Sequence, residues 1–146
     1  MSIFNFLKDI LKKKSDNFEN IIDDKLACAI LLIEVSYSDF KIEKIEINSI
    51  IKLFEENFKL SKEKAEWLTT EALNLHKDIN CLRKFIKIIN DSYDESQKIN
   101  LINMAWTVAR ADDLIDKYEE HRIRKLCDFL YVDHADFIKA KINTNI

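Results

Sequence analysis

The chain contains no glycine and no proline among its 146 residues. Tight β-hairpins depend on residues that tolerate a positive φ, chiefly glycine, so a fold made of several hairpins is disfavoured. Helices do not have this requirement, although they must then end without a glycine C-cap. The sequence therefore predicts an all-α fold with other residues at the helix ends, and the candidates are Asn57, Asn74, Asn90 and Asp112.

Length and charge narrow the class of protein. A chain of this length suits one domain around one hydrophobic core. It carries 23 basic and 26 acidic residues, a net charge of -3. Proteins that bind nucleic acid usually carry an excess of positive charge, which this chain lacks. We therefore expect other proteins as partners and no nucleic acid. No segment reaches the roughly 18 apolar residues of a membrane span, and no signal-peptide cleavage pattern follows the start, so we expect a cytoplasmic protein.

The cysteines and the N-terminal segment add two expectations. Cys28, Cys81 and Cys127 are far apart and form no CxxC motif, which predicts reduced, buried thiols. The pattern of residues 2–14 predicts a short amphipathic helix ending in three lysines. This helix suits either packing on its own domain or weak peripheral contact with the inner face of a membrane or with a partner.

Apolar periodicity predicts the remaining elements. We assign residues 1–15 to the amphipathic helix and residues 16–146 to a single helical domain, with a linker at 15–20. Residues 21–37 are apolar on most sides and predict a central buried helix. Polar residues that favour helix starts divide the rest of the chain. This gives about seven helices, in addition to the N-terminal helix. These residues are Ser61, Asp78, the Asp94–Gln97 pair and Asp133.

The chain contains an internal repeat. A shift of 73 residues aligns residues 33–54 with residues 106–127. Each copy consists of a buried helix, an acidic corner and a second amphipathic helix. The aligned acids are Asp39 with Asp112, Glu43 with Asp116, and Glu46 with Glu119. Two such hairpins bury their apolar faces most simply by packing together around a pseudo-twofold axis, which would bring the corners towards one another.

The duplicated pattern resembles the TerB family of tellurite-resistance-associated proteins over roughly residues 20–142. The second corner carries the resemblance, since the family usually has Ala-Asp-Gly-x-Ile-Asp-x-x-Glu-Glu there. The matching residues are Ala111, Asp112, Ile115, Asp116, Glu119 and Glu120. The resemblance implies an all-helical, stress-response-related domain for which divalent-metal binding has been suggested without an established reaction.

The chain departs from the family pattern at the glycine. Asp113 occupies that position in the second copy and Phe40 occupies it in the first. Aspartate tolerates a left-handed backbone better than phenylalanine does. The first corner is therefore the weaker candidate for a metal site.

Three interpretations of the acidic corners stay open: helix capping, a bound divalent ion and a salt-bridge network with arginine. Asp116 and Glu119 have the spacing of a helix capping box, and acids in a first helical turn interact favourably with the helix dipole. Asp112 and its counterpart Asp39 instead follow a helix, at its negative end, where a cation would offset their charge. That cation could be a divalent ion such as Ca²⁺ or Mg²⁺, or Arg110, Arg122 or Arg124 in a salt-bridge network.

The predicted metal ligands are therefore Asp112, Asp116 and Glu119, with Asp39, Glu43 and Glu46 as a weaker set. The corners lack the 12-residue EF-hand loop, and the histidines His76, His121 and His134 lack zinc-site spacing. No catalytic residues or organic cofactor are predicted. We expect a non-enzymatic, metal-binding module; the alternatives are a metal-free interaction or membrane-peripheral adaptor and, with least support, a metal-dependent hydrolase.

Overall fold

The computed structural model describes residues 16–37, 42–78, 82–111 and 117–143, and these contain seven α-helices and no strand. The prediction of an all-α fold is confirmed. The helices are α1 (Asp16–Ser36), α2 (Lys44–Phe58), α3 (Lys62–Lys77), α4 (Arg83–Ser92), α5 (Glu95–Ala109), α6 (Lys117–Phe129) and α7 (His134–Asn143). Residues 1–15, which include the predicted amphipathic helix, lie outside the described part of the chain.

Helix α1 is the centre of the core, as its composition predicts. Every residue from 26 to 33 is buried, and α1 contacts each helix from α2 to α6. The helix begins at Asp16, so the predicted linker at 15–20 is wrong from residue 16 onward. Nothing in residues 16–20 terminates a helix, since this stretch contains neither glycine nor proline.

Helix α5 is the second buried element. It packs against α1, and its Trp106 ring is fully buried with its centroid 5.3 Å from that of Phe137 on α7. Helix α1 also contacts α6, and α2 contacts α5, so each half of the repeat touches the other. The pseudo-twofold arrangement itself stays a prediction.

Two predicted helix starts are confirmed in atomic detail. The Lys64 amide donates to Ser61 Oγ at 3.2 Å, which caps α3. Asp94 and Gln97 exchange two side-chain to main-chain hydrogen bonds of 2.8 Å, forming the predicted capping box of α5. The predicted cap at Asp78 is wrong, because the Asp78 amide still donates to Leu75 O and closes α3, whereas Leu82 precedes α4.

The predicted asparagine C-caps are also wrong. Asn57, Asn74 and Asn90 all lie within helices, and Asp112 lies outside the described residues. The Asn57 side chain donates to Leu53 O, and the Asn90 side chain donates to Phe129 O. Among the residues that the structure describes, the left-handed positions are instead Lys59, with φ of 56° after α2, and Tyr131, with φ of 59° after α6.

Candidate functional site

The two acidic corners are residues 39–46, called the first acidic corner, and residues 112–119, called the second acidic corner. The structure describes Glu43 and Glu46 of the first and Glu119 of the second. Asp39, Asp112 and Asp116 lie outside the described residues. The predicted convergence of the six acids therefore stays a prediction.

The first acidic corner ends in a helix cap. Glu43 is the N-cap of α2, with an extended backbone, and its amide donates to Glu46 Oε1 at 3.4 Å. Glu46 is only 5 % exposed, so its carboxylate is largely withdrawn from solvent. A carboxylate in this position satisfies an amide at the positive end of the helix. Capping thus gives Glu46 a structural role that needs no metal.

Glu119 is the aligned residue of the second acidic corner. It lies in the first turn of α6 and is 6 % exposed. The next residue, Glu120, pairs with Lys141 of α7 at 2.7 Å. The repeat therefore places a buried glutamate at the same position of each corner, while Glu120, the residue after the second acidic corner, links α6 to α7.

Each of the three arginines near the corners has a contact elsewhere in the fold. The Arg122 guanidinium donates to Tyr37 O and lies 3.5 Å from Val35 O, at the carboxyl end of α1. Arg124 lies over the Phe137 ring at 5.4 Å, and Arg110 donates to Lys141 O at 3.0 Å. Arg122 thus supplies positive charge at the helix end that precedes the first acidic corner.

Among the described residues, no three His, Cys, Asp or Glu side chains lie close enough together to hold a metal ion. The chemistry of the donors still suits a hard cation, since Ca²⁺ and Mg²⁺ prefer carboxylate oxygens. Glu119 would contribute one such oxygen from a rigid helical position, together with acids of the second acidic corner. His121 is exposed, as expected for a helix residue outside a site.

The fold reveals a partly buried contact between a histidine and a glutamate that residue spacing did not predict. His76 Nε2 of α3 lies 2.7 Å from Glu34 Oε2 of α1, and the Tyr37 ring packs against the imidazole with centroids 4.8 Å apart. These residues are 42 positions apart in the chain. The only available signal in the sequence was the presence of Glu34 in the otherwise apolar run of residues 26–35.

Three buried titratable groups have altered acidity. Burial raises the pKa of Glu71 on α3 from 4.5 to about 7. Cys28 and Cys127 are both free and buried, as predicted, and burial raises the pKa of each thiol to about 12. Cys81 lies outside the described residues. Such thiols are poor nucleophiles and poor metal ligands, because both roles require the thiolate.

No helix in the described ranges is both long enough and apolar enough to cross a bilayer.

The described residues thus form an all-helical domain of seven helices, with α1 buried at its centre and a buried glutamate in the first turn of both α2 and α6. The family model of tellurite resistance protein TerB matches residues 25–142. The chain therefore belongs to the TerB family. Neither the curated proteins nor the solved structures contain a significant match.

Proposed function

We propose that this TerB-family chain is a non-enzymatic binding module whose second acidic corner holds a divalent cation. Asp112, Asp116 and Glu119 would supply carboxylate oxygens, and a Ca²⁺ or Mg²⁺ ion bound there would offset their mutual repulsion. The observation that carries the proposal is the burial of Glu119, which is 6 % exposed. Glu119 lies in the first turn of α6, and Asp112 and Asp116 directly precede this helix in the sequence.

The proposal distinguishes the two corners. The helix end before the first acidic corner receives the Arg122 guanidinium, and Glu46 caps α2. In the first acidic corner, groups of the protein thus already offset the partial charges at the two helix ends. The acids Asp39, Glu43 and Glu46 are therefore a secondary metal site at most. In sequence, Asp112 follows α5 and lies outside the Asp116–Glu119 capping-box spacing, so it is the acid that would gain most from a metal ion.

Calorimetric titration of the whole chain with Ca²⁺ and with Mg²⁺ tests this proposal. We expect heat of binding and a rise in melting temperature for at least one ion. Asp112→Asn should abolish both effects, whereas the matched control Asp113→Asn, which removes the same charge from the next residue, should retain them. Glu46→Gln should also retain binding, because it alters only the first acidic corner.

Absence of heat and of any melting shift at millimolar metal would overturn the proposal and favour the metal-free adaptor. Equal loss of binding in the Asp112→Asn and Asp113→Asn variants would show that net charge, rather than a defined ligand, attracts the ion.

A further inference from the structure

Lys141, in the last turn of α7, contacts residues that flank the second acidic corner on both sides. Its carbonyl oxygen accepts a hydrogen bond of 3.0 Å from the Arg110 guanidinium. Its ammonium lies 2.7 Å from Glu120 Oε1. In the sequence, Arg110 comes two residues before Asp112, and Glu120 directly follows Glu119. One residue of α7 therefore joins the chain that enters the second acidic corner to the chain that leaves it.

The Trp106 ring brings the two cationic groups of this contact together. The Arg110 guanidinium lies 5.6 Å from the ring centroid, and the Lys141 ammonium lies 5.7 Å from it. Trp106 is fully buried in α5, so close packing fixes the position of its ring. A cation over an aromatic face is attracted by the ring quadrupole, in addition to any ion pair that it makes. The Lys141 ammonium is thus held by the Glu120 carboxylate and by the Trp106 ring.

The same ammonium places a positive charge beside the start of α6. The side chains of Lys141 and Glu120 are 39 % and 30 % exposed, so water screens their charges less than those of a fully exposed pair. A divalent cation bound at Glu119 would lie one residue away from the Glu120 carboxylate. Such an ion would repel the Lys141 ammonium and attract the carboxylate oxygens that hold it.

Helix α7 is attached to the fold mainly through α5 and α6. Its first turn is anchored by an apolar contact, since Phe137 is buried and packs on the Trp106 ring. Its last turn is held through Lys141, whose main-chain and side-chain groups both make polar contacts there. Loss of the Lys141 contacts would therefore loosen the last turn of α7 and leave its first turn packed.

Given a metal ion at the second acidic corner, as in the proposed function, we propose that Lys141 is the built-in counter-ion of this corner and competes with the metal. Metal binding then loosens the last turn of α7. Coupling between two binding equilibria is reciprocal, so removal of the Lys141 charge strengthens metal binding.

Calorimetric titration of variants tests this competition. Lys141→Gln should bind Ca²⁺ or Mg²⁺ about three- to tenfold more tightly than the unmodified chain, because one repelling charge is absent. Lys141→Arg keeps the charge and should retain the original affinity. The matched control Lys139→Gln removes the same charge from an exposed position on α7 and should change the affinity by less than about twofold. A residue that only held the fold together would give weaker metal binding when replaced.

Amide hydrogen exchange is a second measurement and needs no variant. In the unmodified chain, saturating metal should speed the exchange of the amides of residues 140–143 several-fold relative to EDTA, while the amides of α1 stay protected. In Lys141→Gln, the same amides should exchange fast already in EDTA and should not respond to metal. If Lys141→Gln does not fold, the exchange rates of the unmodified chain decide.

The outcomes for metal competition and for the proposed function differ. Metal binding by the unmodified chain with equal or weaker binding by Lys141→Gln would overturn the competition and leave the proposed function intact, as would metal binding without faster exchange in α7. Metal binding by Lys141→Gln alone would support Lys141 as the counter-ion and overturn the proposed function. Absence of binding by every chain would overturn both.

Discussion

Glu71 combines an ionisable side chain with a buried position in the fold. It is fully buried in α3, and neither carboxylate oxygen has a hydrogen-bond partner among the residues that the structure describes. An ionised carboxylate in such surroundings is costly, so the protonated form is favoured and the pKa rises to about 7.

The free energy of unfolding should therefore depend on pH through Glu71. The folded state holds this proton up to about pH 7, whereas the unfolded chain releases it near pH 4.5. The contribution of this proton to the free energy of unfolding is fully present below pH 4.5. It is lost as the pH rises through about 7, and the total loss is about 3 kcal/mol. Urea unfolding across this range should show the decline, and Glu71→Gln should flatten it.

The control for this experiment is Glu66→Gln, on the same helix but exposed. It should leave the pH dependence unchanged. A Glu71→Gln variant with the same slope as the unmodified chain would contradict the assignment.

At the residue scale, sequence patterns identified the acids but not their surroundings. The alignment of Glu46 with Glu119 predicted equivalent roles, and both are buried at the start of a helix. The pattern named Arg122 only as one of three arginines near the corners. It did not predict that Arg122 lies at the end of α1 or that Glu34 lies beside His76, because these contacts join residues 85 and 42 positions apart. Such pairs depend on how helices pack and leave no periodic signal.

At the element scale, the absence of glycine has a visible cost. Lys59 and Tyr131 adopt left-handed backbone conformations at helix ends where glycine is usual. After α6, the Val132 amide donates to Cys127 O at 2.8 Å and the Tyr131 amide donates to Asp128 O at 3.3 Å, which is the hydrogen-bond pattern of a Schellman motif. The hydrogen bonds persist without glycine, but the backbone conformation is less favourable.

Lys59→Gly should therefore stabilise the chain. The substitution removes the steric penalty of the left-handed backbone, but glycine also has greater conformational freedom in the unfolded state. The net gain in the free energy of unfolding is about 0.5–1 kcal/mol. Differential scanning calorimetry should show this as a melting temperature higher by about 1–4 °C.

The contrasting variant is Lys125→Gly, at an exposed position within α6. Glycine there should lower stability by about 1 kcal/mol, since it occupies an ordinary helical conformation. Destabilisation by both substitutions would contradict the proposed backbone strain at Lys59.

The predicted helix starts were more reliable than the predicted ends, for a physical reason. Ser61 and the Asp94–Gln97 pair use side chains that bond directly to nearby amides, so the signal is local. Without glycine or proline, the positions of the ends depend on packing. Helix α2 thus continues past Asn57 because Phe58 packs on the core, with its ring 5.3 Å from that of Phe54.

At the scale of the whole molecule, Arg122 joins the two halves of the repeat. It extends from α6 to main-chain oxygens at the end of α1, the central helix of the fold. Arg122→Gln should lower the free energy of unfolding by about 1.5–3 kcal/mol, because a charged donor is lost at a partly buried helix end. Urea denaturation measures the effect.

Lys125→Gln, an exposed neutralisation on the same helix, is the matched control and should change stability by less than about 0.5 kcal/mol. Comparable losses in the two variants would show that the net charge of α6, rather than the contact with α1, determines the result.

The sequence by itself determined the helical class, the buried character of α1 and the position of the duplicated corners. These properties follow from local chemistry: missing glycine and proline, apolar periodicity and an internal repeat. Tertiary structure alone decided that Arg122 lies against α1, that Glu34 lies beside His76, and that Glu71 loses contact with solvent. Each of these outcomes depends on which helices meet and at what register, and therefore on the packing of side chains distant in the chain.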